Sequence, residues 1–227
     1  MSTAAQTIPA PTLSHEGATA EPITPESAAR LDRQLAFVRE IDRLKGVLRR
    51  TTLHDASRRE NSAEHSWHLA TMAMAMAEYA PAGTDVSHAV RLCLVHDVVE
   101  IDAGDTFAYD TAGYADKEAR EQAAAARLFG LLPPDQADAW RALWEEFEAN
   151  ATPTARYANA LDRLQPLLAN LATGGGSWHS SGVTPAAVRR RMAPIEHGCP
   201  ALWPWVCATL DRAAAEGLIP PDPRPAQ

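Results

Sequence analysis

A histidine and an aspartate stand side by side, at His96 and Asp97, within the otherwise apolar run AVRLCLVHDVVEI. Glu100 follows about one helical turn later. Burying these groups in an apolar helix without partners would cost several kcal/mol. A divalent cation is one suitable partner, because it keeps the aspartate ionised and the histidine neutral. The alternative is that both side chains cap or bridge neighbouring helices, and an isolated His-Asp dipeptide does not decide between the two.

Two other segments carry polar residues of the same kind. His65 lies in the stretch EHSWH, and Asp162 lies in the stretch ALDRL. Taken singly, each is more typical of a surface or capping residue. Taken together, the order His, His-Asp, Asp over three predicted helices is more specific for one shared metal site. His68, one turn from His65, is expected to pack or to support the site.

The elements that must position these residues are predicted to be helices. Apolar side chains recur at helical spacing over residues 29–49, and Ala, the strongest helix former, is abundant. A polar loop is predicted for residues 49–60. Asn61, three residues before Glu64, then forms a capping-box pattern at the start of a helix that reaches about Tyr79.

The rest of the chain continues in the same way. Further helices are predicted over residues 89–101, 116–130, 134–149, 152–171 and 201–216, with a shorter one from residue 185. Ser87 is expected to cap the first of these, and Pro166 to kink or interrupt the helix over 152–171. The sequence has neither an internal repeat nor a convincing strand pattern. We therefore predict an all-α fold, a bundle of about seven to eight helices.

Composition and charge exclude some classes of protein. The formal net charge is −8, which argues against a nucleic-acid binder, since that class needs a basic face. A small phosphorylated substrate is compatible with this charge, because a metal ion and one arginine supply positive charge locally. The three cysteines, Cys93, Cys199 and Cys207, include no CxxC pair and are expected to be free thiols.

The two ends of the chain differ from its middle. Residues 1–24 are rich in Ala, Thr and Pro, and residues 220–227 are rich in Pro, so both are predicted to be disordered tails around a single domain, 25–219. The N-terminus has neither the basic start nor the apolar core of a secretory signal. No apolar run is long enough to cross a bilayer, so we expect a cytoplasmic protein that does not bind membranes.

The chain resembles the HD-domain metal-dependent phosphohydrolases, and more closely the branch that includes bacterial 5′-deoxynucleotidases. The stretches that carry the resemblance are RENSAEHS at 59–66, LVHDVVEIDAGDT at 94–106 and ALDR at 160–163. The similarity extends from about residue 30 to residue 215, and the combined motifs are far more specific than an HD pair alone. The resemblance implies the helical bundle of an HD domain.

The resemblance also implies a metal centre with two imidazole and two carboxylate ligands. The implied ligands are His65, His96, Asp97 and Asp162. Such donors suit one divalent ion, with Mn²⁺, Co²⁺, Fe²⁺, Ni²⁺, Zn²⁺ and Mg²⁺ as candidates. The sequence lacks the extra histidine pair that builds a dinuclear site in some HD-domain relatives. A homodimer is implied as well, and the last helix, with Trp203, Trp205 and Val206, is a candidate interface.

Catalytic and substrate-binding roles follow from the same resemblance. Glu100 and Asp105 match acidic positions that the nucleotidase branch uses near the attacking water and the sugar. Asp105 and the adjacent Thr106 are expected to bind substrate, with the carboxylate accepting a hydrogen bond from a sugar hydroxyl. Glu100 is expected to position water or pass a proton, or else to orient His96. Arg50 falls where that branch keeps a phosphate-binding arginine.

One position departs from that branch. Thr51 stands where the nucleotidase has an aromatic residue that helps to hold the nucleotide. Arg49, Arg58 and Arg59 are alternatives to Arg50 for binding phosphate, although each is more typical of a solvated loop charge. The substrate is therefore less narrowly specified by the sequence than the metal site.

The expected function is hydrolysis of nucleoside 5′-monophosphates, above all 2′-deoxynucleotides, to nucleoside and phosphate by a metal-dependent phosphomonoesterase. The expected partner is a small phosphorylated molecule. Two alternatives stay open. The same site could act on another phosphorylated metabolite, or the chain could be a non-catalytic nucleotide-binding regulatory module with a degenerate metal site.

Overall fold

The protein is mostly α-helical over residues 23–221, the range that the computed structural model describes. The α-helices are α1 Pro25–Ile41, α2 Ser62–Ala75, α3 Val86–Val95, α4 Glu100–Ala103, α5 Lys117–Phe129, α6 Pro134–Ala149, α7 Pro153–Ala172, α8 Gly176–Ser180, α9 Pro185–Met192, α10 Pro194–Gly198 and α11 Trp203–Ala215. Short 3₁₀ turns occupy Asp42–Gly46, Ala77–Tyr79 and Pro200–Leu202. The predicted all-α fold is confirmed, although the helices are more numerous than predicted because several are short or divided.

The predicted tails lie almost entirely beyond this range. Of residues 1–24 and 220–227, only 23–24 and 220–221 are among those described. Within the described range, none of the helices combines the length and the apolarity that a membrane crossing requires.

A short β-hairpin interrupts the helices, so the prediction of a helix to residue 49 followed by a loop is wrong. β1 (Leu48–Thr52) pairs antiparallel with β2 (Arg59–Asn61). Helix α1 ends at Ile41, earlier than predicted, and a 3₁₀ turn over Asp42–Gly46 follows. Gly46, at the end of that turn, disfavours continuation of the helix to residue 49.

Side chains alternate between the two faces of β1. Arg49 is half-buried and Thr51 is buried, whereas Arg50 between them is exposed. The strand therefore turns Arg49 towards the interior of the protein, next to the helices that carry the His and Asp residues.

Capping residues define the start of the helices that follow. The predicted capping box is present, since Asn61 and Glu64 exchange side-chain to backbone hydrogen bonds at the start of α2. Helix α3 begins earlier than predicted, because Asp85 and not Ser87 is its cap. The Asp85 carboxylate accepts a hydrogen bond from the backbone N–H of His88, at 2.9 Å.

The single helix predicted over 89–101 is divided in two. Helix α3 ends at Val95 and α4 begins at Glu100, with a turn over 96–99 between them. Adjacent residues of an unbroken helix point about 100° apart. The turn releases His96 and Asp97 from that constraint, and their side chains face one another, with Nε2 3.0 Å from Oδ1.

Helix α7 is the centre of the larger hydrophobic cluster. It packs against α2, α3, α6 and α10, and its buried side chains include Tyr157 and Leu161. Helix α7 continues through Pro166 to Ala172. Helix α10 approaches so closely that a Cβ on Gly198 would lie 2.0 Å from a backbone carbonyl oxygen of α7.

The turn over 96–99 lies between two hydrophobic clusters. Leu92 and Cys93, just before it, belong to the larger cluster around α7. Val95, Val98 and Val99 belong to a smaller cluster that includes residues of α1, α5 and α6. The polar side chains of this turn are thus anchored from both sides by apolar packing.

Candidate metal centre

Four buried polar side chains from α2, the 96–99 turn and α7 converge on one point. Nε2 of His65 lies 2.9 Å from Oδ1 of Asp162 and 4.0 Å from Oδ2 of Asp97. Nε2 of His96 lies 3.0 Å from Oδ1 of Asp97 and 3.8 Å from Oδ1 of Asp162. The structure therefore brings together all four residues that the sequence predicts as metal ligands.

Hydrogen bonds donated by Nδ1 determine which nitrogen of each ring faces the cluster. Nδ1 of His96 donates to the backbone carbonyl of Cys93, at 2.8 Å. Nδ1 of His65 lies 3.2 Å from Oε1 of Gln165, whose amide nitrogen donates to Glu60 at 2.7 Å. Because Gln165 must then present its oxygen, His65 is the donor. Both rings keep the lone pair of Nε2 for the cluster.

This arrangement fits a divalent cation. Nε2 of His96 is buried and forms no hydrogen bond with any described residue. Two imidazole lone pairs opposite carboxylate oxygens repel one another unless a positive charge lies between them. His65, His96 and Asp162 each offer a ligand atom within 4.8 Å of the others, and imidazole with carboxylate is a donor set for transition metals such as Mn²⁺, Fe²⁺, Co²⁺ and Zn²⁺.

The electrostatics of the cluster agree with this interpretation. Burial opposes charge on His96, but Asp97, Asp162 and the backbone of Cys93 together outweigh burial and raise the pKa of His96 to about 9. Burial also opposes charge on Asp162, yet Arg163 and His65 hold the pKa of its carboxyl well below the usual range. The cluster thus attracts positive charge while the Asp162 carboxylate stays ionised.

Arg49 is the arginine of β1 that reaches this cluster. Its Nη1 donates to Oδ2 of Asp97 at 3.0 Å and lies 3.8 Å from Oδ1 of Asp105. Only 12% of its side chain is exposed. Arg50, the residue predicted to bind phosphate, points to the rim, where its guanidinium lies 5.4 Å from the centre of the Phe107 ring. Side chains alternate between the two faces of β1, and this alternation places Arg49 inside and Arg50 at the rim. It can be predicted from the sequence only if the segment is known to be a strand.

Glu100 is held by a residue of α2. The Ser62 hydroxyl donates to Oε2 of Glu100 at 2.6 Å, and both residues are buried. Burial and the nearby charge of Asp97 raise the pKa of Glu100 well above its ordinary value. Since Nδ1 of His96 is already bonded to a backbone carbonyl, Glu100 does not act as its orienting partner.

Asp105 and Thr106 lie at the start of the loop that follows α4. Both residues line the cavity above the cluster. The Thr106 hydroxyl accepts a hydrogen bond from Arg120 at 3.2 Å. Burial raises the pKa of Asp105, although Arg49 opposes this shift.

Glu60, Gln165 and Arg163 lie beside His65 or Asp162, although the sequence-based set does not include them. Glu60 lies 3.7 Å from Nδ1 of His65, and burial raises the pKa of Glu60 to about 7. Arg163 forms an ion pair with Asp162. The sequence feature that could have identified Gln165 is its position, one turn after Asp162 on the same face of α7. For Glu60 no local pattern predicts burial.

A cavity of about 340 Å³ opens above the cluster, within the range of small-molecule sites. Its walls include both arginines of β1, several residues of the 104–116 loop, and residues of α6, α7 and α9.

The last helix, α11, presents less apolar surface than its sequence suggests. Val206 is fully buried and Trp203 is half-buried, so Trp205 is the exposed member of that set.

Comparison with known proteins agrees with this geometry. Residues 41–203 match the sequence model of the family described as HD domain. The crystal structure of a predicted metal-dependent phosphohydrolase from Magnetospirillum magnetotacticum MS-1 superposes with a TM-score of 0.83 and is 54% identical. The match covers 88% of this chain and 100% of that one.

Curated relatives are similar over a shorter length. The 5′-deoxynucleotidase HDDC2 of Bos taurus is 30% identical over 152 residues, which is 66% of this chain and 73% of the bovine protein. The Homo sapiens protein of the same name is 31% identical over 135 residues, 59% of this chain and 65% of the human protein.

Proposed function

This chain belongs to the HD-domain family, and on that basis we propose that it hydrolyses nucleoside 5′-monophosphates, above all 2′-deoxynucleotides, to nucleoside and phosphate. The relatives named 5′-deoxynucleotidase support the substrate class. The observation that carries the proposal is the convergence of two imidazole lone pairs and two carboxylates at the floor of a cavity.

One divalent ion is proposed to be held by the four converging residues, His65, His96, Asp97 and Asp162. The two imidazoles favour Mn²⁺, Fe²⁺, Co²⁺, Ni²⁺ or Zn²⁺ over Mg²⁺, which prefers oxygen ligands. Such an ion supplies Lewis acidity towards a phosphate oxygen and lowers the pKa of water.

Two arginines are proposed to hold the phosphorylated substrate. Arg49 is within reach of the cluster, so we assign it to the phosphoryl group, whose oxygens its planar guanidinium can contact in pairs. Arg50 lines the cavity rim beside Phe107 and is proposed to contact the outer part of the nucleotide. Both act by orienting the phosphorus for attack.

Acidic side chains are proposed to transfer a proton and to bind the sugar. Hydrolysis takes one proton from water and delivers one to the departing 5′-oxygen. Glu100 is suited to carry this proton, because its raised pKa allows it to hold a proton and Ser62 fixes its orientation. Asp105, with Thr106, is proposed to accept a hydrogen bond from a sugar hydroxyl at the wall of the cavity.

The proposal is tested by phosphate release. Purified protein is stripped with a chelator, reloaded with Mn²⁺, Co²⁺, Fe²⁺, Ni²⁺, Zn²⁺ or Mg²⁺, and assayed on ribo- and 2′-deoxynucleoside 5′-monophosphates. Asp97→Ala is expected to abolish turnover, whereas Asp138→Ala, an exposed residue of α6, is the matched control. Unchanged turnover in Asp97→Ala, or no phosphate from any nucleotide with any ion, contradicts the proposal.

We also propose a cytoplasmic homodimer. The three cysteines are free thiols, two of them buried, as is common in a reducing compartment. Trp67 and Met74 on α2 are each 65% exposed, and Trp205 is 47% exposed, which provides apolar surface for a second copy. Light scattering coupled to size-exclusion chromatography measures the oligomeric state, and a monomer contradicts this part of the proposal.

A further inference from the structure

An arginine without a partner lies in the wall of the cavity. Arg191, at the end of α9, is half-buried and lines the cavity together with Arg163 of α7. Within residues 23–221, no side chain or backbone carbonyl forms a hydrogen bond or an ion pair with its guanidinium. Arg163 differs, because it is already paired with Asp162. Arg191 is therefore a half-buried cation whose donors are available to a ligand.

Holding Arg191 in this position is unfavourable for the protein alone. Burial lowers the pKa of Arg191, and the like charge of Arg163 lowers it further. A guanidinium has five N–H donors, and those of Arg191 remain accessible from the cavity, since none is among the buried polar atoms that lack a partner. A bound molecule that offers hydrogen-bond acceptors can therefore reach them.

The surroundings of Arg191 favour a flat, uncharged ring. Tyr109 and Tyr114, from the loop between α4 and α5, line the same cavity, and the ring of Tyr109 packs against Phe107 with centres 5.3 Å apart. Met192, next to Arg191, adds apolar surface. Aromatic side chains and planar guanidinium groups both stack on flat rings.

Negative charge in the cavity disfavours a second anion, and Asp162 is a carboxylate whose charge acts on Arg191. The carboxylates of Glu121 and Glu148 line the cavity as well, and Lys117 lies between them, 2.7 Å from Glu121 and 3.9 Å from Glu148. The acidic residues of the metal cluster add further negative charge. A neutral heterocycle that carries oxygen and nitrogen acceptors meets Arg191 without this repulsion.

We propose that Arg191 binds the base of the nucleotide and selects guanine over adenine. Guanine presents two neighbouring acceptors, O6 and N7, which match the fork of a guanidinium, whereas adenine presents an amino donor beside N7. This inference rests on the proposed function, because it takes a nucleotide as the substrate. It adds a base-reading residue that is separate from the residues that hold the phosphoryl group.

The test compares substrates that share the phosphate and differ in the base. kcat/KM is measured for 2′-deoxyguanosine 5′-monophosphate, 2′-deoxyadenosine 5′-monophosphate and 2-deoxyribose 5-phosphate, which has no base. The unmodified protein is expected to prefer the guanine nucleotide about tenfold over the adenine nucleotide. Arg191→Met is expected to bring this ratio close to one and to leave turnover of 2-deoxyribose 5-phosphate unchanged.

Two further variants separate charge and folding from base recognition. Arg191→Lys keeps the positive charge but lacks the fork, so it is expected to lose most of the guanine preference. Arg190→Met removes an exposed arginine from the same helix and is expected to behave as the unmodified protein. If Arg191→Met lowers kcat/KM equally for all three substrates, Arg191 binds the phosphate and the inference is wrong. The inference is also wrong if the guanine-to-adenine ratio of kcat/KM does not change in this variant.

A binding measurement distinguishes failure of this inference from failure of the proposed function. Titration of the metal-free protein with 2′-deoxyguanosine, which has no phosphate, is followed by calorimetry. Binding that is lost in Arg191→Met supports the inference even if no nucleotide is hydrolysed. Hydrolysis without any dependence of base preference on Arg191 leaves the proposed function standing and overturns the inference.

Discussion

Gln165 lies one helical turn after Asp162 on α7, and its amide oxygen accepts a hydrogen bond from Nδ1 of His65 at 3.2 Å. The amide nitrogen of Gln165 donates to Glu60 at 2.7 Å, which fixes the orientation of the amide. A single helix thus supplies both one proposed metal ligand and the group that aims another. The proposed metal site therefore depends on this pair as well as on the proposed ligands themselves.

We therefore expect Gln165→Leu to weaken metal binding about 10- to 100-fold. The substitution leaves Nδ1 of His65 without its acceptor, so the ring loses its fixed orientation. Competition against a chromogenic chelator measures the affinity for Co²⁺ or Zn²⁺. Gln122→Leu, on the exposed face of α5, is the matched control. An affinity equal to that of the unmodified protein would show that the ring is held by packing alone.

Arg49→Met is expected to lower kcat/KM for nucleotides about 10- to 100-fold, because a charge-assisted hydrogen bond to phosphate is lost. Arg50→Met is expected to have a smaller effect, since its side chain points to the rim. Steady-state phosphate release from the two variants, compared under the same metal loading, checks the order. A larger loss in Arg50→Met would return the phosphate-binding role to the residue that the sequence predicts.

Ser62→Ala is expected to move the pH profile of kcat/KM. The Ser62 hydroxyl donates to the ionised form of Glu100 and so lowers the pKa of Glu100. Removing this donor raises that pKa, and the limb of the profile that reports Glu100 shifts to higher pH. Ser66→Ala is the control, because this buried hydroxyl on the same helix has no hydrogen-bond partner among the described residues. A profile that does not move argues against a role for Glu100 in proton transfer.

Metal ions are expected to stabilise the folded protein. At a free concentration about 100 times Kd, the ion adds about 2.7 kcal/mol to the free energy of unfolding. For a chain of this length this corresponds to a rise in Tm of about 5–10 °C. Differential scanning fluorimetry with Mn²⁺, Co²⁺ and Zn²⁺ measures it. Asp162→Ala should lose most of the rise and Asp138→Ala none, so an equal rise in both variants points to binding elsewhere.

Gly198→Ala is expected to destabilise the fold by about 1–3 kcal/mol, because the added methyl group overpacks the contact between α10 and α7. The new Cβ would lie 2.0 Å from the carbonyl oxygen of Arg156. Gly46→Ala is the control, since a methyl group added at Gly46 would meet no neighbouring atom within 4 Å. Urea denaturation measures both. Equal stability of the two variants would mean that α10 shifts freely along α7.

Local signals account for the parts of the fold that the sequence predicts well. Helix α6 spans Pro134–Ala149 as predicted, because Pro133-Pro134 begins it and Asn150 adopts the left-handed conformation that ends it. The capping box at Asn61 is also local, since it depends on residues within one turn. Such features need no knowledge of the tertiary structure.

The parts that the sequence predicts poorly depend on distant residues. The hairpin forms because β1 finds a partner in β2, and the inward position of Arg49 follows only from that pairing. The turn over 96–99 interrupts a segment whose apolar pattern is continuous. Glu60 and Gln165 meet although 105 residues separate them along the chain. No local pattern encodes contacts of this kind.

The 104–116 loop supplies much of the outer wall of the cavity, whereas the four proposed metal ligands come from helices and the turn between them. Surface loops tolerate substitution and insertion better than packed helices do. Related proteins can therefore differ in the substrates that they bind while they keep the same cluster of polar residues. In evolutionary terms, the chemistry and the choice of substrate are encoded in separable parts of the chain.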